Sequence, residues 1–293
     1  MLLLRKNFYN RKICAKDLLF FIRTSLMCEI YKVEMFLFIQ SKGAVYMTKV
    51  LLAGESWISS TTEYKGFDEF TSTKLEIGCV EFLDALRKFG HDVTHLKAHD
   101  VPENFPWTMD ELNKYDVVIL SDIGSNSFLL PNRVFGEGKR CVNRLDLLAK
   151  WVREGHGLMM AGGYLSFAGF EGKAHYHGTS IEDVLPVEIS PFDDRAEKPQ
   201  GVIPKIVSNH PIVNDLSPIP ILLGYQKLLA KESSNILMKV DDNPLLIVNE
   251  VDKGRSIAFA SDIAPHWAPE AFMQWSGYGQ LFSNCVKWLS KEI

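Results

Sequence analysis

From Met47 onward the chain alternates short, nearly unbroken apolar runs with segments whose apolar residues recur at helical spacing. That alternation constrains the fold more than any other feature. "KVLLAG" (49–54), "HDVTHL" (91–96), "YDVVILSD" (115–122) and "GLMMAG" (157–162) read as strands. A strand apolar on consecutive residues has no solvent face, so it belongs in a parallel sheet covered on both sides. "TKLEIGCVEFLDALRKFG" (73–90) and "NRLDLLAKWVREG" (143–155) read as amphipathic helices stopped by glycine. The order predicts an α/β fold with helices on both faces of a parallel sheet. No GxGxxG follows the first strand and no P-loop is present, which argues against a nucleotide fold.

The pattern then changes. Residues 169–201 are rich in Gly, Pro, His and Asp and read as a long irregular excursion. "KLLAK", "NILMKVD", "PLLIVNEV" and "RSIAFASD" follow as four β-like runs, with turns at "DDNP" and "DKG" that suggest an added antiparallel region. "GYGQLFSNCVKWLSKEI" closes the chain as an amphipathic helix. We read residues 47–293 as one domain.

Residues 1–46 differ in character, with 8 Lys+Arg against 3 Asp+Glu in a chain whose formal net charge is -4. Their apolar runs are broken by charge and fall short of the roughly 18 residues of a membrane span. We expect an extension outside the fold; the rival reading is a membrane-surface or partner helix. The acidic balance of the whole gives no reason to expect nucleic acid or a membrane as partner. Five widely spaced cysteines without a CxxC pair suggest free thiols in a reducing, cytoplasmic setting. Cys79, Cys141 and Cys285 all fall inside the expected helices, where buried structural thiols are usual.

"GLMMAGGYLSFAG" (157–169) is a buried strand running into a glycine-rich turn. A nucleophile elbow has small residues two places before and after its tip. Around Ser166 those places hold Tyr164 and Ala168; around Tyr164 they hold Gly162 and Ser166. The frame therefore puts Tyr164 at the tip. "GLMMAGGYLSFAG", "DDRAEKPQG" and "GRSIAFASDIAPHW", in this order, resemble the putative glutamine amidotransferase family, a bacterial group near the trehalose-utilisation proteins. The resemblance runs from about Met47 to Ile293. It implies a flavodoxin-like, class I glutamine amidotransferase-like domain. A working member carries G-x-C-x-G at the elbow and a late H-x-E; here Tyr164 stands in the cysteine's place and the late motif is His266-x-x-x-Glu270. A phenol is a poor acyl nucleophile at neutral pH, so glutaminase activity is not expected.

Ligands of such sheets bind at the carboxyl ends of the strands. The residues there are Glu55 and Trp57, Asp122 and Asn126, Gly162, Gly163, Tyr164 and Ser166, then Asp262, His266 and Trp267. Tyr164, Ser166, Asp262 and His266 are candidates for catalysis, with Tyr164 as hydrogen-bond donor or acid and Asp262 or His266 as base. The others are candidates for ligand binding, or caps of turns and helices. "PFDDRAEKPQ" adds Asp194 and Arg195 as a ligand clamp, a subunit contact or a solvated loop. His175 and His177 lack the further spacing of a zinc site, so neither metal nor cofactor is expected. The aromatics of "PHWAPEAFMQWSGYG" suit a sugar face, a helix core or an interface. Two functions stay open: an enzyme-like protein acting on a small polar, sugar-derived molecule, and a non-catalytic binding or homo-oligomeric assembly module.

Overall fold

The apolar runs line up side by side. In the computed structural model, which describes residues 47–216 and 218–293, β1 (Lys49–Gly54) pairs in parallel with β4 (Asp92–Leu96) on one side and β5 (Val117–Ser121) on the other. β5 pairs in parallel with β6 (Gly157–Ala161), and β6 with β14 (Gly254–Phe259). Beyond β14 the sheet becomes antiparallel, through β13 (Asn243–Val251), β12 (Asn235–Val240) and β9 (Lys205–Ile206). The turns at "DDNP" and "DKG" join β12 to β13 and β13 to β14, as read. Every residue of β5 and β6 is buried, which is why neither run alternates. The extension read over 1–46 lies outside the described residues.

Helices flank the sheet in the flavodoxin-like manner. α1 (Val80–Lys88) buries Phe82, Leu83 and Leu86. α3 (Tyr278–Leu289) meets it through Phe282, whose ring lies edge-on to Phe82 at 5.1 Å and to Phe259 of β14 at 5.4 Å. Such pairs add about 1 kcal/mol beyond area burial. α2 (Arg144–Arg153) is capped by Asn143, whose Oδ1 accepts the N–H groups of Leu145 and Asp146 at 3.0 and 3.3 Å.

Three readings need correction. The helix expected over 73–90 is α1 alone. Its first half is β3 (Asp68–Ile77), paired antiparallel with β2 (Ser56–Lys65) in a two-stranded ribbon of its own. Leu75 lies at helical spacing from Phe82 and Leu83 and so imitates a helix start. The excursion over 169–201 is also not irregular throughout. It contains β7 (Val187–Glu188) and most of β8 (Arg195–Val202), which pair with β11 (Leu229–Ala230) and β10 (Leu222–Gln226) in two small separate sheets. "KLLAK" thus serves β11, not the main sheet. Cys141 sits in the loop before α2, outside any helix.

Candidate functional site

The chain leaves β1 for β4 at the edge, then returns past β1 to β5. That reversal opens a crevice at the carboxyl ends of β1 and β5. Glu55 follows β1 and Asp122 follows β5, and both take left-handed backbone, φ 49° and 44°. A non-glycine residue held there costs about 1 kcal/mol or more. The crevice holds a cavity of ≈ 280 Å³ lined by Ser56, Trp57, His99, Asp122, Ser127 and Leu165. Asn126 is exposed on the first turn of the next helix, and Ser127 faces the cavity instead.

Asp262, after β14, joins these two carboxylates. Glu55 and Asp262 are buried and Asp122 is half-buried. Burial holds the Glu55 carboxyl well above the usual range, and the charges of Asp262 and Asp122 add to this. The Ser121 hydroxyl opposes it by donating to Glu55 at 2.5 Å. Asp262 is raised by burial and then by Asp122, against the N–H of Ala264 at 2.9 Å. Asp122 is raised by burial and partly rescued by the Leu165 N–H at 2.7 Å. Among the described residues none of the three pairs with a lysine or arginine. The nearest cation source is His266, whose Nδ1 is 3.8 Å from Asp262 and whose basicity burial lowers. His266 is itself strained, at φ 145°.

The elbow after β6 faces this cluster. Gly163 has φ 142°, and a Cβ there would lie 2.9 Å from Asp122 Oδ1. At Gly162 a Cβ would press into the Gln226 amide and meet the carbonyls of Ala260 and Ser261 at 2.9 Å. Gln226, fully buried on β10, donates to the Gly163 carbonyl at 2.5 Å and fastens the turn. Ser166 is buried, and its Oγ accepts the Asp122 N–H at 3.0 Å, so it braces the two strand tips. Beside the exposed Leu165, Tyr164 is half-buried. Its ring meets His266 edge-on at 4.1 Å and stacks on Phe170 at 5.5 Å, with Trp267 edge-on at 6.1 Å. The Arg195 guanidinium lies over Tyr164 at 4.8 Å and Phe170 at 4.2 Å. The Tyr164 hydroxyl donates to Glu197 at 3.2 Å, and the Trp267 indole donates to the other oxygen at 2.9 Å. Burial and Glu197 push the phenol up, away from nucleophilic character.

The charged cluster splits in two. Arg195 grips Asp193 with Nε and Nη2, the latter at 2.7 Å, and this holds the Asp193 carboxyl well below its ordinary value. Asp194 points inward, accepts the N–H groups of Ala168 and Gly169 at 3.1 and 2.9 Å, and is raised by burial to about 6. It therefore shapes the elbow from behind. Cys79 is the thiol nearest the cluster, with Sγ 3.5 Å from His95 Nε2. It is fully buried and pushed up to about 12 by burial and Glu55, so no substrate meets a thiolate there. Among the described residues no group of three His, Cys, Asp or Glu is arranged to hold a metal ion. Sequence reading missed His99, Ser127, Phe170 and Gln226, and it did not assign Glu197 to the site.

A family model described as "Putative glutamine amidotransferase" matches residues 49–291. The chain belongs to this family. Two solved structures are similar to the domain over nearly their whole length. "Cytoplasmic Protein STM3548 from Salmonella typhimurium" is 43% identical, with TM-score 0.80, covering 82% of this chain and 98% of that one. "Cytoplasmic Protein STM1381 from Salmonella typhimurium LT2" is 44% identical, with TM-score 0.79, covering 83% and 99%. No curated protein matches the chain. Within the glutamine amidotransferase-like fold, this member presents Tyr164 at the elbow and three carboxylates at the neighbouring strand tips.

Proposed function

We infer that this family member binds a small polar molecule in the cleft between the tips of β1, β5, β6 and β14, without forming an acyl-enzyme. The observation that carries this reading is the trio Glu55, Asp122 and Asp262, raised by burial and, among the described residues, lacking a lysine or arginine partner. Strained backbone and uncompensated buried charge both cost stability, and such costs concentrate where a ligand is handled. Burial favours the protonated form of these carboxyl groups, and a protonated carboxyl both donates and accepts hydrogen bonds. They suit a ligand rich in hydroxyl or amino groups, and they supply a general acid and base for proton transfer. Trp57 offers a flat apolar wall for a sugar ring. Tyr164, tied to Glu197 and covered by Arg195, belongs to the aromatic rim. The names of the two similar structures support a cytoplasmic setting. Among the described residues no helix is long and apolar enough to cross a membrane.

The test is thermal-shift and calorimetric titration of the full chain against monosaccharides, disaccharides, polyols and amino acids, with a parallel assay of ammonia release from glutamine. We expect saturable binding of a hydroxyl- or amino-rich compound, weakened at least tenfold by Asp122→Asn, and no ammonia. Binding indifferent to Asp122→Asn would move the site elsewhere. Ammonia release abolished by Ser166→Ala or Tyr164→Ala would restore an acyl mechanism and sink this reading.

A further inference from the structure

Among the described residues the β2–β3 ribbon pairs with no other strand. Its ten residue pairs form a separate two-stranded sheet, joined by a tight turn at Gly66 and Phe67. At about 3.3 Å per residue it reaches about 33 Å. A two-stranded ribbon alone in water is marginally stable, and this one exposes Trp57, Ile58, Tyr64, Phe70 and Leu75. Natural proteins guard free strand edges with lysine, proline or bulges. Here the middle of each strand is unguarded: Ser59, Ser60, Thr61 and Thr62 on β2, and Thr71, Ser72 and Thr73 on β3.

We propose that the ribbon is a self-association arm, in which the β2 edges of two copies pair antiparallel across a two-fold axis at Thr61. The occupant is a second copy because the edge is complementary to itself. Pairing about Thr61 sets Trp57 opposite Lys65 of the partner subunit and Ile58 opposite Tyr64 of the partner subunit. The two-fold repeats both contacts. Residues opposite one another in an antiparallel pair have Cβ atoms about 5 Å apart, within reach of aromatic–aliphatic and cation–π contact. Within each ribbon Trp57 already faces Glu76 and Lys65 faces Asp68, so one row of the four-stranded sheet reads Glu, Trp, Lys, Asp. No like charges face each other across the β2 edges. The same operation on β3 about Ser72 would set Asp68 against Glu76, which disfavours that edge. The pairing also brings Lys65 of the partner subunit to Trp57, which lines the same cavity as Asp122.

Cysteine trapping tests the axis directly. Under mild oxidation Thr61→Cys in the full chain should form a covalent dimer several times faster than Ser72→Cys, on the outer strand of the same row. The wild-type chain, with its five cysteines, gives the background. Light scattering should show the wild-type chain dimeric or larger at micromolar concentration, and Thr61→Pro should halve the mass while keeping the wild-type circular dichroism. If Thr61→Pro fails to fold, hydrogen exchange of wild-type β2 decides: its amides should gain protection as concentration rises. A monomeric wild type at 100 µM, equal trapping at positions 61 and 72, or concentration-independent exchange would each overturn the arm.

Discussion

The molecule uses one backbone device in two places with opposite electrostatics. Glu55 and Asp122 at the strand tips, and Asp241 and Asp252 at the hairpin turns of the antiparallel flank, all sit in left-handed conformation, with φ between 44° and 53°. At the hairpins the acid is exposed and answered by a cation: Lys198 is 3.1 Å from Asp241 and Arg153 is 3.0 Å from Asp252. The lysine hydrogen bond holds the Asp241 carboxyl below its usual value. At the strand tips the acids are buried or half-buried, face one another and are raised. Turn geometry alone accounts for the hairpin acids. It does not account for acids placed where each makes its neighbour more costly.

The largest effect should come from spoiling the turn that packs against the tips. Gly163→Ala puts a Cβ onto Asp122 at a φ that alanine rarely adopts. It should cost about 3 kcal/mol, read by urea unfolding. A loss under 1 kcal/mol would mean that the elbow yields easily and is a poor platform. Next, Glu55→Gln keeps the acceptor for Ser121 and removes one charge of the trio. It should raise stability by about 1–2 kcal/mol at pH 8, in the way that relieving a functional site does, while weakening ligand binding. A destabilised Glu55→Gln would mean the charge is compensated after all.

The pH dependence of that gain has a fixed sign. In the unfolded chain Glu55 titrates near 4; folded, it holds its proton to higher pH. The folded state thus binds more protons over the interval between the two values, and its stability falls as pH rises through it. Asp194, raised to about 6, acts the same way between roughly 4 and 6. Buried histidines, His91 and His156 among them, are lowered and oppose this on the acid side. The difference between Glu55→Gln and wild type isolates the carboxyl. It should shrink steadily from pH 8 to pH 5 in thermal melts. The smallest effect belongs to the flank: Asp252→Asn should cost no more than about 0.5–1 kcal/mol, and the cost should vanish in 1 M salt.

The two regions also differed in legibility. The parallel strands could be read because burial on both faces leaves unbroken apolar runs, and strand ends then locate Glu55, Asp122 and Asp262. The ribbon could not, because "SSTTEYKGFDEFTST" has no apolar face to give a period, and Leu75 at its base falls in step with α1. Glu197 and Gln226 reach the site from β8 and β10. Those strands pair with each other far along the chain, so nothing in the local pattern points them at the elbow. Tyr164 was found by the spacing of small residues around it, a constraint of the turn itself.

β14 has a consequence for biosynthesis. Residues 254–259 lie between β6 and β13, so the middle of the sheet is filled only after the strands on both sides of it have left the ribosome. Until then β6 carries one bare edge of five apolar or small residues, nearly 100 residues after its own emergence. A nascent chain stalled before Gly254 would present that edge to its neighbours, and such edges aggregate. Newly made copies therefore depend on residues 254–259 to close that edge.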